Sequence, residues 1–213
     1  METPSKPGIS TGFVVAFYAF MGVLAFGLAT FFGDLDVLVW HDANDTPIYL
    51  DAALGVGVGV AVVLASNVLD RKAEWARELG REFGRVLGSL SVTDAFLFAL
   101  ASGIGEELLF RGFLQQVFTV VVFEGSWFSE VGAEWAGLIA ASIIFGLLHM
   151  GPNIKKFWPW TVMALVLGAG FGWMYLYTGN VLAPILAHFT VNFFNLQSIG
   201  RKYGHLKGEH EQQ

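Results

Sequence analysis

The chain has 213 residues, 54% hydrophobic and 15% aromatic, with 14% charged and a mean hydropathy of +0.57; ordinary soluble domains carry roughly 25% charged residues. This composition predicts an all-α, polytopic integral membrane protein, and the absence of cysteine excludes disulfides and thiol catalysis. A net charge of −6, with no basic patch interleaved with aromatics, excludes nucleic acid as a partner.

Crossing the hydrocarbon takes about 20 apolar residues. Six stretches approach that length: 12–33, 48–68, 94–123, 134–151, 159–178 and 180–198. The first is too long for the ~7–15-residue apolar region of a secretory signal and is expected to be a span. Residues 70–88 form an amphipathic helix instead. Glu74, Glu78 and Glu82 repeat at four, as do Arg77, Arg81 and Arg85, and Trp75, Leu79, Phe83 and Val86 line another face. Such a helix is expected to lie on the membrane interface. The third stretch is long enough to tilt or to begin outside the hydrocarbon. The last two meet at a tight turn, Thr178-Gly179-Asn180. G-x-x-x-G spacings at Gly55/Gly59 and Gly168/Gly172 are expected to serve close helix packing.

Basic residues set the orientation. If the chain crosses six times with both ends in the cytoplasm, 11 of its 12 Lys and Arg residues fall on that side, and the twelfth, Arg111, lies inside the membrane. The organisation expected is therefore two spans and the linker helix over 1–92, a helical core over 93–198, and a disordered cytoplasmic tail over 199–213. The tail residues His205 and His210 and the loop residue His41 read as bystanders.

The third stretch contains Glu106-Glu107-Leu-Leu-Phe-Arg111. A charge at mid-membrane depth costs ~2.5–3.5 kcal/mol on insertion scales, so a cluster there needs partners or a task. Glu107 and Arg111 are four apart and share a face, which predicts an ion pair. Glu106 points about 100° away and is the carboxylate left for chemistry. His149 ends the fourth stretch, and His188 and Asn192 share a face of the sixth. Two chemistries fit these groups. In one, Glu106 and His149 activate a water and His188 with Asn192 stabilises an oxyanion. In the other, Glu106, His149 and His188 ligate a divalent metal such as zinc. H-E-x-x-H is absent, which weakens the second.

Glu106-Glu107-x-x-x-Arg111, Phe145-x-x-x-His149 and His188-x-x-x-Asn192, in that order on three stretches, resemble the motifs of the CAAX prenyl endopeptidase family, whose prokaryotic branch is known as CPBP or Abi intramembrane proteases. The flanks match as well, in Phe110-Arg111-Gly112-Phe113-Leu114, Ser142 to His149 and Asn180 to His188. The resemblance covers roughly residues 93–198, and the first 90 residues carry no recognised motif. It implies an all-helical intramembrane endopeptidase acting on a protein or peptide substrate in the cell membrane. By motif position, Glu106 and His149 activate water, His188 and Asn192 stabilise the oxyanion, and Glu107 and Arg111 support them.

Two other readings compete. One is a non-enzymatic immunity or scaffolding protein of the same family, in which the polar cluster only fixes helix packing. The other is a proton- or ion-coupled transporter, which would carry inverted repeats, and no such symmetry is visible.

Overall fold

A computed structural model describes residues 8–33, 35–39, 47–123, 129–151 and 153–207. Among them are seven α-helices: α1 Thr11–Phe31, α2 Ile48–Lys72, α3 Glu74–Leu87, α4 Val92–Glu107, α5 Glu130–Leu148, α6 Ile154–Thr178 and α7 Leu182–Tyr203. Past α4 the chain continues as two π-helical stretches, Leu108–Gln115 and Val117–Phe123. The only pairing of extended backbone among the described residues is one isolated bridge between Val39 and Asn180. The all-α polytopic bundle is therefore what forms.

Local chemistry sets the helix ends. Ser91 caps α4: its hydroxyl oxygen accepts from the Asp94 N–H at 3.0 Å while the Asp94 carboxylate accepts from the Ser91 hydroxyl at 2.6 Å and from the Ser91 N–H at 3.3 Å. This reciprocal box satisfies donors that a helix start leaves free. Thr11 also donates to Asp94 at 2.6 Å, tying the start of α1 to the start of α4. Gly88 ends α3 with φ +69 and Gly179 ends α6 with φ +68, a backbone state that glycine adopts without a Cβ penalty. At Gly88 the chain turns, and α3 lies at 102° to the helical run Val92–Phe123. The amphipathic helix thus lies across one end of the bundle.

Four helices are long and apolar enough to cross a membrane, namely α1, α2, α5 and α6, and the bent unit of α3 with Val92–Phe123 makes up to five. Each of the six expected stretches is helical, and the third and sixth are the ones that fall short of the others in helix length or apolarity. The reason is chemical: the third and sixth stretches hold the polar residues. Arg111, Gln115 and Gln116 interrupt one, and His188, Asn192 and Asn195 dilute the other. Both are shielded by neighbours, since α7 packs along α2 and α4, and the π-helical run packs on α5. The outward faces carry the lipid-compatible surface: Phe20 and Val23 on α1, Leu64 on α2, Ile139 on α5 and Val166 on α6 are all exposed. An apolar surface of that extent marks a membrane contact.

Glycines permit the close helix contacts expected of them. At Gly55 and Gly59 the α2 backbone passes so near Ala183 and Thr190 of α7 that a Cβ would collide. Small residues at such crossings let two helices approach backbone to backbone. Residues 199–207, expected as a disordered tail, instead extend α7 and close it with a short 3-10 turn, Gly204–Leu206. Packing explains the order. Tyr203 fills the space against Gly80 and Gly84 of α3, and Lys202 and Tyr203 hold Asp70 at 2.7 and 3.0 Å. His205 is exposed on that turn, while His41 and His210 fall outside the described residues.

Candidate active site

Three helices converge where the polar residues lie. Glu106 is in the last turn of α4, His149 caps the C-terminus of α5, and His188 sits in the second turn of α7. One carboxylate oxygen, Glu106 Oε2, lies 3.7 Å from His149 Nε2 and 3.8 Å from His188 Nε2. That oxygen is buried with no hydrogen-bond partner.

Each imidazole is oriented from behind. His149 Nδ1 lies 2.6 Å from the Phe145 carbonyl. A carbonyl only accepts, so Nδ1 carries the proton and Nε2 faces Glu106. His188 Nδ1 lies 2.7 Å from Glu107 Oε1 and donates to that carboxylate. Holding one ring nitrogen in this way sets both the tautomer and the ring plane. Aromatic rings complete the support: Phe171 stacks on His188 with centroids 5.4 Å apart, and Trp160 meets His149 edge-on at 5.4 Å.

The pair Glu107–Arg111 forms with Nε–Oε2 and Nη1–Oε1 separations of 3.1 and 3.2 Å. Both side chains are almost wholly enclosed, at 0% and 2% exposure. Arg111 also donates to the Gly168 carbonyl at 3.0 Å and lies over the Phe145 ring at 4.6 Å. One α-helical face later, Gln115 donates to the Gly172 carbonyl at 3.2 Å. The glycines of α6 thus expose carbonyls to side chains four apart on the π-helical stretch. Mutual neutralisation of Glu107 and Arg111, the reading from spacing, is only half of the arrangement. Glu107 has a second partner in His188, so it links the cation to the imidazole.

Asn192 lies one turn beyond His188 and donates to Ser102 Oγ at 2.9 Å. Ser102 is one turn before Glu106 on α4, a spacing that was visible in the sequence but whose significance needed the α4–α7 contact. All four expected residues (Glu106, His149, His188 and Asn192) line one cavity of about 490 Å³, together with Ser102 and with Tyr18 of α1. Its wall continues through Phe13 and Phe17 of α1 and Trp75, Leu79 and Phe83 of α3. That size is ordinary for a ligand site.

Away from the cavity wall, α3 is charged. On α3, Arg77–Glu74, Arg81–Glu78 and Arg85–Glu82 form i,i+3 pairs, and Lys156 of α6 reaches Glu82 at 2.6 Å. Hydrogen bonds from Arg77 and then Arg81 hold the Glu74 carboxyl below the usual carboxylate range. Val86, expected on the apolar face, is instead half exposed because α3 is ending there.

Among the described residues, no group of three or more His, Asp or Glu side chains could hold an ion. In the expected set, Glu106 Oε2 lies within 3.8 Å of the Nε2 atoms of both His149 and His188.

Comparison with known proteins agrees with the motifs. The profile of the family described as "Type II CAAX prenyl endopeptidase Rce1-like" matches residues 88–194, half of the chain, and the protein belongs to that family. An uncharacterised protein of Bacillus subtilis strain 168, YpbD, is 29% identical over 167 residues, covering 76% of this chain and 75% of the relative. No solved structure matches. This is a multi-pass membrane protein of a protease family.

Proposed function

We propose that the protein is an intramembrane endopeptidase of the CAAX-processing type, with water activated between Glu106 and His149. One observation carries this reading: a partnerless carboxylate oxygen faces two imidazole Nε2 atoms at 3.7 and 3.8 Å inside a cavity. Glu106 Oε2 and His149 Nε2, two acceptors turned toward each other at 3.7 Å, call for a donor between them, and a water molecule brings two hydrogens. Glu106, with His149, takes a proton from that water as its oxygen bonds to the peptide carbonyl carbon. The carbonyl π electrons move to oxygen. When the tetrahedral intermediate collapses, the C–N bond breaks and the proton held by Glu106 passes to the leaving nitrogen.

His188 and Asn192 stabilise the oxyanion. His188 Nδ1–H is already given to Glu107, so its Nε2 donates only when the ring carries both protons. Asn192 uses one amide hydrogen on Ser102 and has a second to give. Donors of this kind are worth ~2.7–4 kcal/mol each in the transition state.

Orientation with both termini in the cytoplasm follows from the clustering of Lys and Arg at the end of the bundle that bears α3. The cavity then opens to the cytoplasmic interface, where α3 forms its lid. The deciding assay uses purified protein in liposomes and quenched-fluorescence peptides with and without a prenylated C-terminal CAAX tail. Cleavage by wild type that is lost in Glu106→Gln supports the reading. Equal turnover by the two proteins ends it. A preference for the prenylated peptide supports the CAAX-type substrate, and indifference removes that part alone.

A further inference from the structure

We infer that Tyr18, on α1, is a positioning residue for Glu106, so that the catalytic centre includes a helix outside the region matched by the family profile. The inference rests on the hydrolase reading above. The match begins at residue 88, and α1 ends at Phe31. Yet Tyr18 lines the same cavity as Glu106, His149, His188 and Asn192.

Sequence and packing both direct it there. α1 is otherwise phenylalanine-rich, with Phe13, Phe17, Phe20 and Phe26 exposed. A single tyrosine in such a helix needs a partner for its hydroxyl, since hydrocarbon offers none. Gly105, the residue before Glu106, supplies the access: α1 passes so near that a Cβ there would collide with the Tyr18 backbone. One turn further along α1, Gly22 fits against Leu108, 3.4 Å from where a Cβ would stand. Two glycines therefore set the register of α1 on the α4 strip that bears Glu106.

The consequence is geometric. Turned across that cavity to the Glu106 carboxylate, the Tyr18 hydroxyl would donate to it and hold the plane of the group. Oε2, which has no partner, then stays turned toward the two Nε2 atoms. Without that tether the carboxylate rotates about its terminal torsion, which is broad, and the base spends less time aligned. Substrate binding along the apolar wall is unaffected.

Tyr18→Phe removes one oxygen atom and leaves the ring packing intact. With the prenylated quenched-fluorescence peptide in liposomes, kcat is expected to fall ~10-fold or more, the scale of a lost hydrogen bond to a charged group. KM and the thermal midpoint should stay at wild-type values, and Phe20→Leu, on the exposed face of α1, should leave both kinetic constants unchanged. Wild-type kcat in Tyr18→Phe overturns the inference, as does a change confined to KM. Glu106→Gln separates the two levels: if it is inactive while Tyr18→Phe is fully active, the Tyr18 inference alone fails. If Glu106→Gln turns over normally, the hydrolase reading fails and takes this one with it.

Discussion

The protein uses acid–base pairs spaced along a helix in two places, and they do different jobs. On α3, Glu74, Glu78 and Glu82 alternate with Arg77, Arg81 and Arg85 at the bundle end, where Glu74 is exposed and the other five are partly open to solvent. Around α4, Glu107 and Arg111 have the same kind of spacing but 0% and 2% exposure. Solvent screens the first set and supplies alternative partners, so each pair contributes little. The second set has no alternative partner. Removing either member strands a charge in a low-dielectric interior, which is costly even where the intact pair stabilises little. Near-identical spacing therefore makes a partly solvated ladder in one place and a buried backing for the His188 imidazole in the other.

The largest expected difference between the regions is in activity. Glu106→Gln should lower turnover ~10²–10⁴-fold, the range for a general acid–base group, with the fold intact by circular dichroism. Replacing any α3 carboxylate should leave turnover near wild type, and a comparable loss there would erase the contrast.

Next comes stability. Arg111→Met should cost ~3–5 kcal/mol by stranding Glu107, read as a lowered thermal midpoint in detergent. The double variant Glu107→Leu/Arg111→Leu should recover part of that loss, because no unpaired charge remains. Failure to recover would mean that the His188 contact of Glu107, and not the ion pair, carries the stability.

Asn192→Ala should reduce kcat ~10²–10³-fold if its amide supports the oxyanion, with a smaller effect on KM. An effect only on the midpoint would assign Asn192 to helix packing through Ser102. Smaller again is Lys156→Ala, expected to cost no more than ~1 kcal/mol and to lose its effect at high salt.

The smallest effect is a pH dependence on α3. The folded-state carboxyl of Glu74 titrates below its ordinary range because of Arg77 and Arg81. A depressed carboxylate contributes its stability above the unfolded value and loses it as pH falls through the folded one. The midpoints of wild type and Glu74→Gln should therefore differ slightly at neutral pH and converge on acidification. Divergence at low pH would contradict the lattice.

Much of this was legible along the chain. Helical spacing separated Glu106 from the Glu107–Arg111 pair, and the coordinates keep them separate. The α3 pairs and the glycine contacts at Gly55 and Gly59 followed from period and residue type. All six expected stretches became helices, and two of them are less apolar than the rest because they carry buried polar side chains and are shielded by other helices. The ordered stretch 199–207 escaped notice because its stability comes from Gly80, Gly84 and Asp70, more than a hundred residues away in the chain.

Local order along the chain sufficed for membrane character, for helix number and for which side chains share a face, since these depend on hydropathy and a 3.6-residue period. It did not reveal the bond from His188 to Glu107, the bond from Asn192 to Ser102, or the packing of Tyr18 on Gly105. Each of those depends on how one helix is rotated and shifted against another. That is decided by close packing at glycines and by the need of buried polar groups for partners, and neither is expressed until the helices meet.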